Sequence, residues 1–193
     1  MARSWIDPQF STLTNEIGVY ALCDLDNVPI YVGKTVSIKE RGIIGRVRRH
    51  FTSARSDIIA NLQLDVWELA YVRAWAEPDA AQVPELERRV HHEYRDTVLA
   101  GKLLPAPNNV EPLPEFQECR ILMPQEIQRR KDPATRLVRQ VRHIDHLLDV
   151  VVTRKDTADQ RRALQAHLDR LTRRFEEFKA AAMPQPDEDE NTD

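Results

Sequence analysis

The sequence predicts an α+β protein: a small β-sheet flanked by helices, followed by a C-terminal antiparallel helical hairpin and an acidic disordered tail. Three observations support this fold class. Two β-prone runs precede a helical pattern, a third β-prone run and a second helical pattern, which gives the order β-β-α-β-α. The second half of the chain repeats apolar residues at heptad spacing. The last ten residues are acidic and almost without apolar side chains.

The first two strands are predicted to form a hairpin. In the segment GVYALCD (18–24), Val19 and Ala21 fall on one face of a strand and Tyr20 on the other. The following DLDN supplies turn residues, and PIYVGK (29–34) is a second short β-prone run. The third strand is predicted at residues 64–75, which are rich in β-branched and aromatic side chains.

Two helices are predicted around these strands. Apolar residues at spacings of three and four indicate a helix between Ser37 and about Ala54. A second helix is predicted to begin near Pro84 and to stop before Gly101. Four prolines follow in the next fourteen residues, so we place the end of the first domain at residue 112 and a linker at 113–133.

Residues 134–183 are predicted to form the helical hairpin, with a coiled-coil seam on each helix. The seam residues are spaced four and three apart, which is the pattern of packed helices. They are Leu137, Val141, Ile144, Leu148 and Val151 on the first helix, and Leu164, Leu168, Leu171, Phe175 and Phe178 on the second. We expect the two seams to pack on each other, or a widened seam to bring two copies of the chain together as a homodimer. The tail, 184–193, is predicted to be disordered.

Composition excludes several classes of protein. The 193 residues contain two cysteines, Cys23 and Cys119, which lie far apart and outside any pairing motif, so a disulfide scaffold is not expected. No apolar run reaches the roughly 18 residues of a membrane span. The N-terminal MARSWIDPQF lacks the apolar core of a secretion signal. These features predict a cytoplasmic protein that has no membrane partner.

Positive charge is concentrated after the second strand, although the net charge of the chain is −3. Residues 39–55 contain six basic residues and one acidic residue, which is typical of a phosphate-binding face. Arg46 and His50 lie four positions apart and would share one face of a helix. Tyr20 and Tyr31 can lie close together on paired strands. Glu87, on the next helix, offers the hard oxygen ligand that Mg²⁺ prefers.

The chain contains five features in a fixed order: Gly18-Val19-Tyr20, Tyr31-Val32-Gly33, an Arg-x-x-x-His helix, a glutamate and an asparagine. This order resembles the GIY-YIG nuclease family. The resemblance extends over about 17–109. It implies hydrolysis of phosphodiester bonds in DNA, with Mg²⁺ or Mn²⁺ as cofactor.

The resemblance also implies a role for each matching residue. Tyr20 would be the general base that activates water, and Tyr31 would bind the scissile phosphate or the attacking water. Arg46, with His50 beside it, would neutralise the phosphate, and Glu87 would bind the metal. Either Asn108 or Asn109 would be the asparagine that comes last among the motifs of this family. The residues expected to bind substrate are Gly33, Lys34, Arg41, Arg48, Arg49, Arg55 and Asn109.

Several alternatives remain open at the level of sequence. Arg41 has the spacing from Gly33 that many family members show, whereas Arg46 has the better local context and implies a short insertion. Glu85 and Glu93 compete with Glu87 as the metal ligand. The triplet His91-His92-Glu93 looks metal-like, but adjacent helix residues point apart, so a zinc site is not expected there.

Two classes of function compete. The first is a metal-dependent DNA endonuclease of the restriction or defence type, or one of a mobile element. The second is a non-catalytic DNA-binding or adaptor module that has kept the nuclease fold. The chain is too short to hold the additional domains of the repair incision enzymes in this family. The arginines of the predicted hairpin are either an exposed face or a further contact to DNA.

Overall fold

The computed structural model describes residues 6–38, 41–52 and 57–182. The strands are β1 (Gly18–Cys23), β2 (Pro29–Thr35), β3 (Tyr71–Ala76) and β4 (Gln117–Arg120). The helices are α1 (Gly42–Thr52), α2 (Asp57–Ala60), α3 (Val83–Glu93), α4 (Pro124–Lys131), α5 (Pro133–Thr153) and α6 (Ala158–Ala182). Within the described residues, none of these helices is both long enough and apolar enough to cross a membrane.

The four strands form one antiparallel sheet in the order β2-β1-β3-β4. This sheet, its helices and the contact between α5 and α6 confirm the predicted α+β class. In the register of the first hairpin, Tyr20 is opposite Gly33 and Leu22 is opposite Tyr31. Because alternate residues of a strand share a face, Tyr20, Tyr31 and Gly33 lie on the same face of the sheet.

Each face of the sheet is covered by a different helix. The face that carries Tyr20 and Leu22 shares its core with Ile43 and Val47 of α1. The face that carries Val19, Ala21 and Trp75 shares its core with Leu86 and Val90 of α3. The period-two alternation predicted for β1 therefore determines which side chains meet which helix.

Two elements differ in length from their predictions. The third strand occupies only Tyr71–Ala76, because Val66–Glu68 forms a 3₁₀ turn. The Asp65 carboxylate stabilises this turn by accepting a hydrogen bond from the Trp67 backbone at 3.0 Å. The α3 helix ends at Glu93, well before Gly101.

The segment 113–133, which we predicted as a linker, contains both β4 and α4. β4 pairs with β3 in a register that places Cys119 opposite Val72, and both side chains are buried. Four residues are too few for a recognisable alternation, so only the pairing with β3 reveals this strand.

The C-terminal helices form the predicted pair, but four of the ten predicted seam residues are exposed. Val141 and Leu148 are 49% and 47% exposed, and Leu168 and Phe175 are 40% and 46% exposed. The buried residues of the two helices are mostly polar or small: Arg136, Gln140, His143, Leu147, Val150 and Val151 on α5, and Gln160, Ala163, His167 and Arg170 on α6.

The polar face of the hairpin is buried because it meets carboxylates of the sheet domain. Arg136 Nη2 lies 2.7 Å from Glu68 Oε2, and Arg136 Nη1 lies 2.8 Å from Asp26 Oδ2. Arg170 Nη2 donates to Asp24 Oδ2 at 2.6 Å. We call this set of ion pairs, which is buried except at Asp26, the docking interface.

Histidines complete the docking interface. The rings of His143 and His167 lie 4.6 Å apart between centroids, and His167 Nε2 is 3.0 Å from the Gln63 backbone oxygen. Burial, reinforced by the neighbouring His143, lowers the pKa of His167 to about 4. We predicted that the arginines of the hairpin either lie on an exposed face or contact DNA. Arg136 and Arg170 instead hold the hairpin onto the sheet domain.

The predicted acidic tail and Arg55 lie outside the described residues.

Candidate active site

Two tyrosine hydroxyls converge over Gly33. Tyr20 is fully buried, and the rings of Tyr20 and Tyr31 lie 6.1 Å apart between centroids. A Cβ atom at Gly33 would lie 2.6 Å from Tyr20 Oη and 2.9 Å from Tyr31 Oη. Such contacts are too short for any side chain, so only glycine lets both hydroxyls meet at this point of the strand.

His50, on α1, joins the tyrosine pair. Its Nε2 lies 2.8 Å from Tyr20 Oη, and its ring is 5.8 Å from the Tyr20 ring and 5.3 Å from the Tyr31 ring. His50 is 3% exposed. Helix α1 covers this face of the sheet through its apolar side, and that packing brings His50 to the hydroxyls.

Arg46 lies one helical turn before His50 and supplies the positive charge of the group. Its guanidinium lies close enough to act electrostatically on Tyr20, Tyr31 and His50. Arg41, the alternative from sequence, lies just before α1, is exposed and has a backbone φ of 64°. The structure thus places Arg46, and not Arg41, among the contacts of the tyrosines.

Burial controls the ionisation of these groups. Burial raises the pKa of Tyr20 well above its ordinary value, and the Tyr31 charge adds to the effect while Arg46 opposes it. Burial also raises the pKa of Tyr31. Burial, together with the positive charges of Arg46 and Arg49, lowers the pKa of His50 to about 4. At neutral pH, both tyrosines and His50 are therefore uncharged in the free protein.

Glu87 lies at the same edge of the sheet, on α3. Its Oε2 is 2.8 Å from the Lys34 ammonium of β2, which is an edge strand. A cavity of about 420 Å³ opens here, lined by Tyr31 and Glu87 among others. The cavity therefore joins the tyrosine group, which faces α1, to the carboxylate on α3 at the opposite face of the sheet.

The hairpin closes one side of this cavity. Lys155, Thr157 and Asp159, from the turn between α5 and α6 and the start of α6, line it together with His91 and Lys102. Lys102 and Lys155 are not among the residues predicted for the site. No motif marks them, because their position depends on how the hairpin docks.

Glu85 and the two asparagines form a separate cluster. Glu85 Oε1 accepts hydrogen bonds from the backbone nitrogens of Asn108 at 2.6 Å and Asn109 at 3.3 Å, and Glu85 Oε2 pairs with Arg88. Positions two apart on a helix point about 200° away from each other. Asn108 and Asn109 therefore contact the side of α3 that is turned away from Glu87, and they are not among the residues that line the cavity. Glu93 is exposed at the end of α3.

The other basic residues of α1 have contacts of their own. The Arg48 guanidinium lies 5.7 Å from the centre of the Phe10 ring, a cation–π contact. Arg49 acts electrostatically on His50. Neither residue lines the cavity beside Glu87.

A divalent cation fits the Glu87 side of the cavity. Glu87 supplies a carboxylate oxygen, and the Lys34 ammonium already places a positive charge against it. The residues described by the structure contain no group of three or more His, Cys, Asp or Glu side chains arranged for a metal ion. Such a site suits an ion that keeps several waters and shares a substrate phosphate, which is how proteins commonly hold Mg²⁺.

Residues 16–99 match the family model described as the GIY-YIG catalytic domain. This range includes both tyrosines, α1 and the whole of α3. The comparisons with curated proteins and with solved structures gave no significant match.

Proposed function

We propose that the GIY-YIG catalytic domain in residues 16–99 makes this chain a metal-dependent DNA endonuclease. A domain of this family implies hydrolysis of phosphodiester bonds in a nucleic acid. The observation that carries the proposal is the convergence of Tyr20, Tyr31, His50 and Arg46 beside the cavity that Glu87 lines. A core packed only for stability does not need two buried hydroxyls and a buried imidazole beside an open cleft.

In this proposal, Tyr20 takes the proton from the attacking water. Its hydroxyl lies 2.8 Å from His50 Nε2, so the tyrosine proton has an acceptor within hydrogen-bond distance. The arriving phosphate is negatively charged and would offset the charge of Arg46. Since Arg46 is one of the groups that hold the pKa of His50 low, substrate binding makes His50 a better base.

Arg46 and Tyr31 would hold the phosphate while charge develops on it. A guanidinium suits this role because it donates several hydrogen bonds in a fixed plane to phosphate oxygens. The Tyr31 hydroxyl lies beside the Tyr20 hydroxyl, and Tyr31 also lines the cavity, so this residue connects the general base to the substrate cleft. A divalent ion bound at Glu87 would neutralise phosphate oxygens and stabilise the leaving oxygen.

Lysines around the cavity favour an extended anionic substrate. Lys34, Lys102 and Lys155 come from three separate parts of the chain and lie at or beside the cavity. We propose that they contact successive phosphates of DNA, with the hairpin turn as one wall of the binding cleft. Restriction or defence, or the movement of a mobile element, is the biological role that we propose. The two cysteines are free and buried, as expected for the reducing cytoplasm we propose.

A plasmid-nicking assay tests the proposal directly. The intact chain should nick supercoiled plasmid with Mg²⁺ or Mn²⁺ and lose this activity in EDTA. Glu87→Gln keeps the size of the side chain but removes its charge, so cleavage should fall by at least about 100-fold while DNA binding persists.

Glu85→Gln is the matched control because Glu85 lies on the same helix and is bonded to Asn108 and Arg88 rather than to the cavity. Its cleavage rate should stay within about threefold of wild type, since an interaction outside the site changes rate little. DNA binding without any cleavage under all metal conditions would support the non-catalytic binding module instead. Normal cleavage by Glu87→Gln would refute the metal-ligand assignment.

A further inference from the structure

His91 is a buried side chain that the proposed reaction does not use. It lies on α3 and is 5% exposed. Its Nε2 atom is buried and has no hydrogen-bond partner among the described residues. A buried nitrogen without a partner costs about 1–3 kcal/mol, so such an atom calls for an explanation.

The imidazole also interacts with the backbone of Lys102. Because Nε2 has no hydrogen-bond partner among the described residues, a neutral ring with its proton on Nδ1 leaves Nε2 a free lone pair, the form in which histidine binds a metal through that nitrogen.

Helix geometry brings His91 to the carboxylate of Glu87. The two residues are four positions apart, so they lie one above the other on the same face of α3. Both line the cavity of about 420 Å³. His92 and Glu93, which complete the metal-like triplet in the sequence, are exposed and point elsewhere.

We propose that His91 Nε2 and the Glu87 carboxylate together bind the divalent cation, as two protein ligands on one helix face. The proposal deepens the proposed nuclease function and rests on it for the role of the ion. An imidazole ligand favours Mn²⁺ over Mg²⁺, because Mg²⁺ prefers oxygen ligands only. The Lys34 ammonium, 2.8 Å from Glu87 Oε2, must move away when the ion binds.

Binding of Mn²⁺ to the full chain without DNA tests this proposal independently of cleavage. Affinity is measured by titration calorimetry or by the loss of the free Mn²⁺ EPR signal. His91→Gln should weaken binding by about tenfold or more, and Glu87→Gln should weaken it at least as much. His92→Gln is the matched control: it removes an exposed histidine next in sequence, and it should bind Mn²⁺ like wild type.

A spectroscopic measurement on the wild-type chain covers the case in which His91→Gln does not fold. Pulsed EPR of bound Mn²⁺ should show coupling to an imidazole ¹⁴N, and this coupling should change to ¹⁵N in protein labelled at histidine. The coupling should persist in His92→Gln and vanish in a folded His91→Gln.

The outcomes separate the two proposals. Unchanged Mn²⁺ affinity in folded His91→Gln, or no imidazole coupling in wild type, overturns the His91 assignment even if the chain cleaves DNA. Mn²⁺ binding that depends on His91 in a chain that never cleaves DNA supports the metal site and refutes the nuclease proposal alone.

Discussion

The cavity beside Glu87 and the docking interface both contain carboxylates, but these carboxylates are paired differently. In the docking interface, Glu68, Asp24 and Asp26 each lie against an arginine of the hairpin. In the cavity, Glu87 forms an ion pair with the partly exposed Lys34 and has no arginine partner among the described residues, and His91 Nε2 has no hydrogen-bond partner there. Paired charges fix one part of the protein to another, whereas charges left open toward a cavity are available to a ligand.

The two regions are physically connected. The arginines of the docking interface set the position of α5 and α6, and the turn between these helices lines the cavity. A change in the interface therefore acts on the position of Lys155 as well as on stability. The following predictions, from the largest expected effect to the smallest, test whether the two regions have these separate roles.

The largest effect is expected at Arg46. Arg46→Ala removes the cation that contacts Tyr20, so cleavage should fall by up to about 1000-fold, or roughly 4 kcal/mol of transition-state stabilisation. Arg41→Ala should mainly weaken DNA binding and reduce its salt dependence. Single-turnover cleavage rates and salt-dependent binding of both variants provide the measurement. A larger loss of cleavage in Arg41→Ala than in Arg46→Ala would show that the short insertion has been placed wrongly.

A substitution in the docking interface should lower the free energy of unfolding. Arg136→Met leaves Glu68 without its closest partner in a buried position, and breaking such a pair costs about 3 kcal/mol or more. Urea unfolding measures the loss. Arg142→Met, at an exposed position of the same helix, is the control and should change the free energy of unfolding by less than about 0.5 kcal/mol. Equal stability of the two variants would contradict the structural role of the interface.

The tyrosine group and the docking interface each contain a buried neutral histidine, so acid should lower the stability of the fold. The pKa values of His50 and His167 are lowered to about 4 in the fold, whereas an unfolded histidine titrates near 6.5. Between these values the unfolded chain binds more protons, so stability is full above about pH 6.5 and falls as the pH drops toward 4. Each unit of pKa difference corresponds to about 1.4 kcal/mol.

Unfolding free energies at pH 7 and pH 5 measure this effect. His50→Gln and His167→Gln should each reduce the difference between the two pH values, and His146→Gln, at an exposed position, should leave it unchanged. If stability does not change between pH 7 and pH 5, the two histidines are not held neutral by burial.

The smallest effect is expected on the outer face of the hairpin. Val141 and Leu148 on α5, and Leu168 and Phe175 on α6, are exposed apolar pairs at seven-residue spacing. In the proposed nuclease, one site would cut one strand at a time. A second copy of the chain packed on this face would then supply the second cut of a double-strand break. Light scattering should detect self-association at tens of micromolar, weakened about tenfold or more by Leu148→Glu, or about 1.4 kcal/mol.

Val110→Glu is the control for that experiment, since Val110 is exposed but lies outside the hairpin. A full-length chain that remains monomeric at tens of micromolar, with and without DNA, would rule this association out.

Sequence alone determined the parts of the protein that depend on local pattern. The alternation in β1 predicted which residues share a face of the sheet, because side chains on a strand alternate regardless of their partners. The motif order predicted the range that matches the GIY-YIG catalytic domain. The four-residue spacing of Arg46 and His50 predicted that they share a helix face, and both lie by the tyrosines.

The tertiary structure decided what depends on contacts between distant segments. Heptad spacing suggested an apolar seam, but the carboxylates of the sheet domain draw the arginine and histidine face of the hairpin inward, since a buried carboxylate needs a buried cation. Likewise, Asn108 and Asn109 have the residue type and the place in the sequence that the motif requires, but the loop that carries them hydrogen-bonds to Glu85. His91 and Lys155 come together at one cavity only because α3 and the hairpin turn meet there.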